Sequence, residues 1–423
     1  MNKIIIKRNS TRSDVITTSR LSPFASRLNK NNMKVLFMIS HPAHFHMFRY
    51  TIDNLQQHGH EVVNVIRPKD VLEQLCIDAK MPYYKVKDRP KKWGMIGLGL
   101  ALMEKIIEVL RITRKEKPDI LIGSDGVLAV VGKLLRIPAF ECYEDDAEAI
   151  ALYAKMFFPI FTGVIGPQCC SAWKWEHKKM GYPSYHELGY LHPNQFTPNK
   201  EIVEKYGIDT SKPYFVIRFA KLTAHHDVGI HGMNAEIAEH VVELLKPHGQ
   251  IYITSERELE PQFEPYRIRI NPLDMHHVMA FASLYIGDSQ TMAAEAGVLG
   301  TPFVRLNDFV GRLSYIHELE APTDYTPRTD GYVPYVDKHV PEDTHYCLGY
   351  GHKTADVEGF YRSIEKWLAE PNRKSICASR REQMLRDKID YAKFLTWFIE
   401  NYPQSAKETK EKQEDTSFWA QFK

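Results

Sequence analysis

The chain has 423 residues, 43% hydrophobic and 26% charged, enough for two or three domains at about 150 residues each. That balance is ordinary globular composition and excludes a collagen-like or largely disordered protein. Lysine plus arginine total 55 against 53 acids, a net charge of +2, so no charge surplus points to a nucleic-acid binder.

Residues 1–32 carry +6 and are rich in Ser, Asn and Arg, which leaves −4 for residues 33–423. They lack the apolar run of a secretory signal. A disordered basic tail, a start placed too early with Met33 as the true beginning, or a transit peptide all fit their composition. From Val35 the pattern alternates. Short apolar runs at Val35–Ile39, Val62–Ile66, Ile120–Gly123, Ala139–Cys142 and Gly163–Gly166 read as strands. Phe45–His58, Met95–Lys115, Val127–Leu135, Ala147–Phe158 and Ser171–Met180 read as helices between them. Continuous apolar strands separated by helices predict a parallel sheet covered on both faces.

The two prolines and Asn of Leu191–Pro198 predict an extended linker. The alternation then resumes, with strands at Tyr214–Phe219, Gln250–Thr254, Arg267–Ile270, Leu284–Gly287 and Phe303–Leu306. Helices at Asn234–Leu245, Met275–Phe281 and Gln290–Leu299 lie among them. Ala321–Thr354 is Tyr- and Pro-rich and reads as a covering loop. Val357–Ala369 and Ser375–Ile399 are final helices expected to cross back. Gln404–Asp415 reads as a solvated tail or a frayed helix. The expected organisation is a basic tail (1–32), an N-terminal domain (33–192), a linker (193–212) and a C-terminal domain (213–372). A returning helix (373–403) and a tail (404–423) complete it. Ligands of such α/β sheets bind beyond the carboxyl ends of the strands.

Six cysteines without CxxC spacing read as reduced thiols, the adjacent Cys169 and Cys170 included. No apolar run reaches 18 residues, so no membrane span is expected. Met95–Met103 reads as a core helix, with docking of a membrane-bound acceptor as the alternative.

The strongest local signal is Leu284–Pro302. A strand ends at Gly287, Asp288-Ser289 caps a helix, and Gly300-Thr-Pro stops it. The helix start exposes N–H groups and a partial positive charge suited to phosphate. Ser289 and Thr291 hydroxyls add donors, and Glu295 is spaced to accept from ribose hydroxyls. His41, His44 and His46 follow the first strand. His44 or His46 can face the cleft as donor or general base, serve only as a helix start, or join His41 in a zinc site completed by distant acids. Asp125 follows the third strand, and Glu144, Asp145 and Glu148 follow the fourth. They read as proton carriers or as helix caps. Arg218 and Lys221 can clamp a diphosphate; Arg305 reads as a surface ion pair.

Asp288-Ser289, Glu295-Ala296 and Leu299-Gly300-Thr301-Pro302 together resemble the C-domain signature of non-hydrolysing UDP-N-acetylglucosamine 2-epimerases. The resemblance implies phosphate contact at Ser289, ribose contact at Glu295 and proton-carrying carboxylates in the Asp125 and Glu144 loops. Gln290 and Thr291 stand where that pattern has two glycines. The epimerase His-Arg-x-x-Asn signature is replaced by Arg218-Phe-Ala-Lys221. A wider resemblance covers most of residues 33–320 and is to a GT-B-like domain-of-unknown-function family neighbouring these epimerases and glycosyltransferases. It rests on Pro42-Ala-His44-Phe-His46, Gly59-His60-Glu61-Val62, Tyr190-Leu-His-Pro-Asn-Gln-Phe-Thr-Pro198, Arg218 and the Ser289 helix.

The resemblance implies a GT-B fold of two Rossmann-like domains and a nucleotide-sugar ligand, UDP-linked. The expected activity is a metal-independent glycosyltransferase acting on a glycan or lipid-linked acceptor. A nucleotide-sugar epimerase or a binding protein without chemistry is the alternative. No cofactor and no nucleic acid are expected; the setting is the cytoplasm, with peripheral contact at the inner membrane face and a homodimer both allowed.

Overall fold

Apolar runs too short for helices form two parallel sheets in the computed structural model, which describes residues 32–87, 94–220, 232–322 and 345–423. The first half begins with β1 (Lys34–Ile39), α1 (Pro42–Gln57), β2 (Glu61–Ile66), α2 (Leu72–Asp78), β3 (Tyr84–Lys85) and α3 (Gly94–Glu116). It continues with β4 (Ile120–Gly123), α4 (Val127–Leu135), β5 (Ala139–Cys142), α5 (Ala151–Phe157), β6 (Gly163–Pro167) and β7 (Lys179–Tyr182). The strand order is β3-β2-β1-β4-β5-β6-β7. Successive connections run outward from β1 in one direction and from β4 in the other, so the loops after these neighbouring strands flank a crevice.

Side-chain alternation along β1 decides which helices cover which face. Val35, Phe37 and Ile39 pack with α1 and α2, whereas Leu36 and Met38 pack with α3, α4 and Phe157 of α5. α1 starts where His41 accepts from Ala43 N–H, with Pro42 in the first turn.

After α6 (Lys200–Glu204), the second half comprises β8 (Tyr214–Phe219), α7 (Ala235–Leu245), β9 (Gln250–Ser255), α8 (Met275–Phe281) and β10 (Leu284–Gly287). Then come α9 (Gln290–Leu299), β11 (Phe303–Leu306), α10 (Ser314–Leu319) and β12 (Gly349–His352). Its order, β12-β11-β10-β8-β9, puts the second crevice between the loops after β8 and β10. A side chain at Gly287 would stand 2.8 Å from the Arg218 carbonyl oxygen, so β8 and β10 approach closely at that rim. Gly300 ends α9 at φ +76, a backbone that favours glycine. One continuous apolar core joins the halves, from Tyr143, Tyr185 and Tyr190 to Tyr285, Ile316 and Leu319.

The return to the first half takes α11 (Val357–Ala369), α12 (Arg373–Asp387), α13 (Tyr391–Glu400), α14 (Gln404–Glu411) and α15 (Thr416–Ala420). The expected single helix Ser375–Ile399 is two, because Asp390 leaves helical geometry to cap α13 at Lys393 N–H. α13 lies on α1, where Asn54 donates to Thr396 and Glu400 meets His58 and His60.

Other expectations are corrected. Ser171–Met180 is a short 3-10 helix (Trp173–Lys178) leading into β7, whose Met180 and Tyr182 face the core. Arg267–Ile270 forms only an isolated bridge at Arg267 to Ile253. The linker carries α6, capped by Asn199. Of the expected loop 321–354, residues 323–344 lie outside the described residues, and 349–352 form β12. All six cysteines are free. No helix among the described residues is long and apolar enough to cross a membrane.

The expected tail 404–423 is a packed element. Phe418, Trp419 and Phe422 are buried against Phe394 and Trp397 of α13, and Trp419 Nε1 donates to the Gln413 carbonyl at 2.9 Å. Polar sequence hid this, since the apolar residues cluster only in the last turn. Trp419→Ala is expected to lower the unfolding free energy by about 3 kcal/mol, read as a shifted urea midpoint, whereas a solvated tail would leave it unchanged.

Candidate functional site

The first wall of the cleft is built where β1 and β4 deliver their loops. Ser40 Oγ donates to Asp125 Oδ2 at 2.7 Å, Lys105 Nζ of α3 reaches the same oxygen at 2.7 Å, and Val127 N–H donates to Oδ1. Lys105, Ser40 and the Val127 amide outweigh the burial of Asp125 and hold its carboxyl below the usual range. Of the two roles expected for Asp125, proton carrier or helix cap, the Val127 contact is that of a cap. His44 accepts the Ser40 N–H at 3.4 Å, and burial keeps its imidazole neutral. His46 is turned away, packed against Tyr190 and His276 with ring centroids 5.3 and 4.9 Å apart. Burial and His276 likewise hold it neutral. The three histidines thus do not converge as zinc ligands, and no metal-holding group of His, Cys, Asp and Glu occurs among the described residues.

Carboxyl groups form the floor. Glu144 accepts the His186 N–H at 2.7 Å, with His186 Nδ1 3.5 Å away. Burial, then the neighbouring Glu187, pushes the Glu144 carboxyl well up. Burial also raises Glu187 to about 8, helped by Glu295 and Asp145, and lowers His186 to about 3. The charges of Glu187, Glu144 and Asp145 all bear on Tyr315 of α10, which places them together at the seam. Glu148 accepts from Ser171 Oγ at 3.0 Å. Asp146 accepts from Ser171 N–H and from both the N–H and Oγ of Ser314, and so caps a helix of the other half. Burial raises its carboxyl to about 7.

The second wall is the β8–β10 crevice. Asp288 accepts from Ala220 N–H at 2.6 Å and Met233 N–H at 3.3 Å, while burial raises its carboxyl to about 6. Ser289 caps α9 at Met292 N–H; Ser289, Gln290 and Thr291 are half-buried at its positive end. Arg218 pairs with Glu256 at 2.5 Å, and its Nε–H is buried without a partner. Gln290 bridges Asn307 and Arg305. Arg305 is no surface ion pair: it is fully buried and its Nε lies 2.5 Å from Glu320. Glu295, expected to face a ribose, is bonded through one carboxyl oxygen. It is 5% exposed, and its Oε1 is taken by Tyr190 OH at 2.8 Å and His276 Nε2 at 2.9 Å. Lys221 lies outside the described residues.

The structure therefore joins Glu144, Asp145 and Glu148 on one side and Arg218, Ser289, Gln290 and Thr291 on the other. It adds Glu187 and His186, which sequence reasoning missed. Glu187 stands amid apolar His186-Glu-Leu-Gly-Tyr-Leu191 just before the linker, and an acid in such a run was the available signal. Glu141 on β5 was missed likewise; burial keeps it protonated, bonded to Tyr153 and Ser124. Glu148 Oε2, His186 Nε2, Glu187 Oε2 and Arg218 Nε are among the buried polar atoms without a hydrogen-bond partner, and each could bond a ligand. Chemically, the floor can exchange protons near neutrality, and the second wall can hold an anion.

Solved structures similar to this chain include MnaA of S. aureus with UDP, at 12% identity and TM-score 0.58, over 88% of this chain and 97% of that one. A Listeria monocytogenes protein described as a UDP-N-acetylglucosamine 2-epimerase matches at 12% identity and TM-score 0.56, over 91% and 98%. The spinosyn rhamnosyltransferase SpnG with thymidine diphosphate matches at 14% identity and TM-score 0.54, over 86% and 99%. Such likeness establishes the fold: two parallel-sheet α/β halves of GT-B type. No curated protein matches the sequence. The model of one family, described as protein of unknown function (DUF354), matches residues 33–309, so the chain belongs to that family.

Proposed function

We propose that the chain is a GT-B glycosyltransferase that moves a sugar from a nucleoside diphosphate donor, UDP-linked, to a glycan or lipid-linked acceptor. The observation that carries this reading is the facing of an anion-holding wall by a floor of buried carboxyls, with Glu144 and Glu187 raised above their ordinary range. The Arg218 Nε–H, the first N–H groups of α9 and the hydroxyls of Ser289 and Thr291 hold the diphosphate. They stabilise the negative charge it gains as the bond from its oxygen to the sugar C1 breaks. The acceptor oxygen forms the new bond to C1, and its proton passes to a carboxylate of the floor. Two adjacent buried carboxyls do not readily ionise together, so Glu144 and Glu187 lose their protons stepwise.

That same pair favours a second reading, epimerisation at C2 of the sugar, where one carboxylate removes the C–H proton and the other acid returns one. Solvent deuterium appearing at C2 would select it, because glycosyl transfer leaves that bond intact.

The donor test is a thermal-shift titration with UDP and nucleotide sugars. A ligand at 100 times its dissociation constant stabilises by about 2.7 kcal/mol. Arg218→Ala is expected to weaken UDP about tenfold or more, as loss of a charged hydrogen-bond donor does. An unshifted wild type across the panel would reject the reading.

The acid floor gives a pH prediction. The Glu187 carboxyl sits at about 8 folded against 4.5 as its ordinary value. Between these values the folded state keeps a proton the unfolded state has lost, so stability falls as pH rises through the window. Glu187→Gln cannot ionise. It is expected to match the wild type in mild acid and to exceed it in mild alkali by roughly 2–4 kcal/mol, measured by urea unfolding in both buffers.

A further inference from the structure

The outer surfaces of α3, α4 and α5 are built unlike the rest of the chain. On α3 the exposed residues recur at helical spacing, Leu100, Met103 and Ile107 and then Arg111 and Arg114. Ile106 and Val109 on the opposite side are buried in the sheet, so the middle of this helix is apolar on both faces. On α4 the exposed set is Lys133, Leu134 and, just beyond, Arg136. On α5 it is Leu152, Lys155 and Met156, continued by Ile160. These three helices cover the same face of the first sheet, because they connect successive strands from β3 to β6 in one direction. Leu152 is 74% exposed, Leu100 66% and Leu134 61%, values an ordinary aqueous surface does not favour.

The charge on this face has one sign. Every acid between residues 99 and 160 is buried or half-buried, whereas Arg111, Arg114, Lys117, Lys133, Arg136 and Lys155 are exposed. Residues 33–423 carry −4 overall, so this positive face runs against the balance of the folded chain. Arg111, Arg114, Lys117, Lys133 and Arg136 make no ion pair among the described residues. A recess of about 490 Å3 opens beside Lys133 and Arg136, walled by Pro159, Ile160 and Lys178. Lys178 is spent on the Phe158, Pro159 and Phe161 carbonyls, which leaves Lys133 and Arg136 as the cations facing an incoming anion.

We propose that the α3–α4–α5 face docks on an anionic lipid bilayer, its leucines, methionines and isoleucines entering the head-group boundary while its lysines and arginines meet lipid phosphates. Apolar side chains interleaved with cations and free of exposed acids suit that interface, where each component adds to the other. A protein partner of ordinary composition would meet salt-bridging acids as well as bases. The proposal stands whether or not a nucleotide sugar binds in the cleft.

The test is co-flotation of the full chain with vesicles of phosphatidylcholine alone or mixed with phosphatidylglycerol. Binding to the mixed vesicles, released by salt, is expected, with little binding to phosphatidylcholine. Two variants target exposed positions and should keep the wild-type melting temperature: Lys133→Glu with Arg136→Glu, and Leu100→Ser with Met103→Ser and Leu152→Ser. Each is expected to lower the bound fraction at least about tenfold. Three results overturn the proposal: no flotation of the wild type, flotation that both variants retain in full, or a wild-type dimer that the serine variant disperses without vesicle binding.

Discussion

Asp146, Glu295, Glu318 and Asp390 lie in or beside the seam between the halves, and donors distant in the chain converge on each. Ser171 and Ser314 hold Asp146; Tyr190 and His276 hold Glu295. Lys388 and Tyr185 hold Glu318, and Asn194 and Gln195 hold Asp390. Stripping a carboxylate of water costs several kcal/mol unless such donors replace the solvent. The relative placement of the two sheets is therefore fixed by a few polar points within an apolar seam, and the cleft inherits its shape from them. Glu295 shows the consequence: its second-half donor, His276, would stay with it if the halves parted, while Tyr190 would be withdrawn.

The same constraint separates what the sequence discloses from what it conceals. Apolar runs announce most strands of both sheets, though not β3, β7 or β12 at the edges, because a central parallel strand is buried on both faces, a local property readable in five residues. The capped helix after Gly287 is equally local. The role of the motif Tyr190–Pro198 is not local, since Asn194 and Asp390 are 196 residues apart in the chain. Nothing near Glu295 reveals that Tyr190 will occupy it. Asp125 could be recognised as important, but its partner Lys105 sits on a helix whose apolar character attracted the only reading. Glu187 differs: an acid in an apolar run marks it, but its raised carboxyl arises from burial beside other acids, which sequence spacing cannot convey.

Asp125 and Asp288 occupy corresponding rims of the two sheets and differ in one respect. A lysine neutralises Asp125, and its carboxyl is depressed; only backbone N–H groups serve Asp288, and its carboxyl is raised to about 6. Charge on Asp288 would oppose an anion at the start of α9. An arriving diphosphate would push that carboxyl higher still and draw a proton onto it. On the proposed reading the second wall would adapt to an anion in this way, whereas Asp125 is held against Lys105.

Lys105 also ties the cleft to the outer surface. It leaves α3 to reach Asp125, while Leu100, Met103 and Ile107 of that helix point to solvent. Helix α3 is a rigid lever between them, with Ile106 and Val109 anchored in the sheet. Lys105 turns inward to Asp125, whereas Arg111, Arg114, Lys133 and Arg136 are exposed on the outer face. One packing decision, the choice of which helix faces the sheet buries, sets both the rim that holds Asp125 and the exposed apolar back of the first half. An acceptor carried at a bilayer surface would then be presented near the mouth of the cleft, because the amino-terminal half of α3 lies at the end where β4 delivers Asp125.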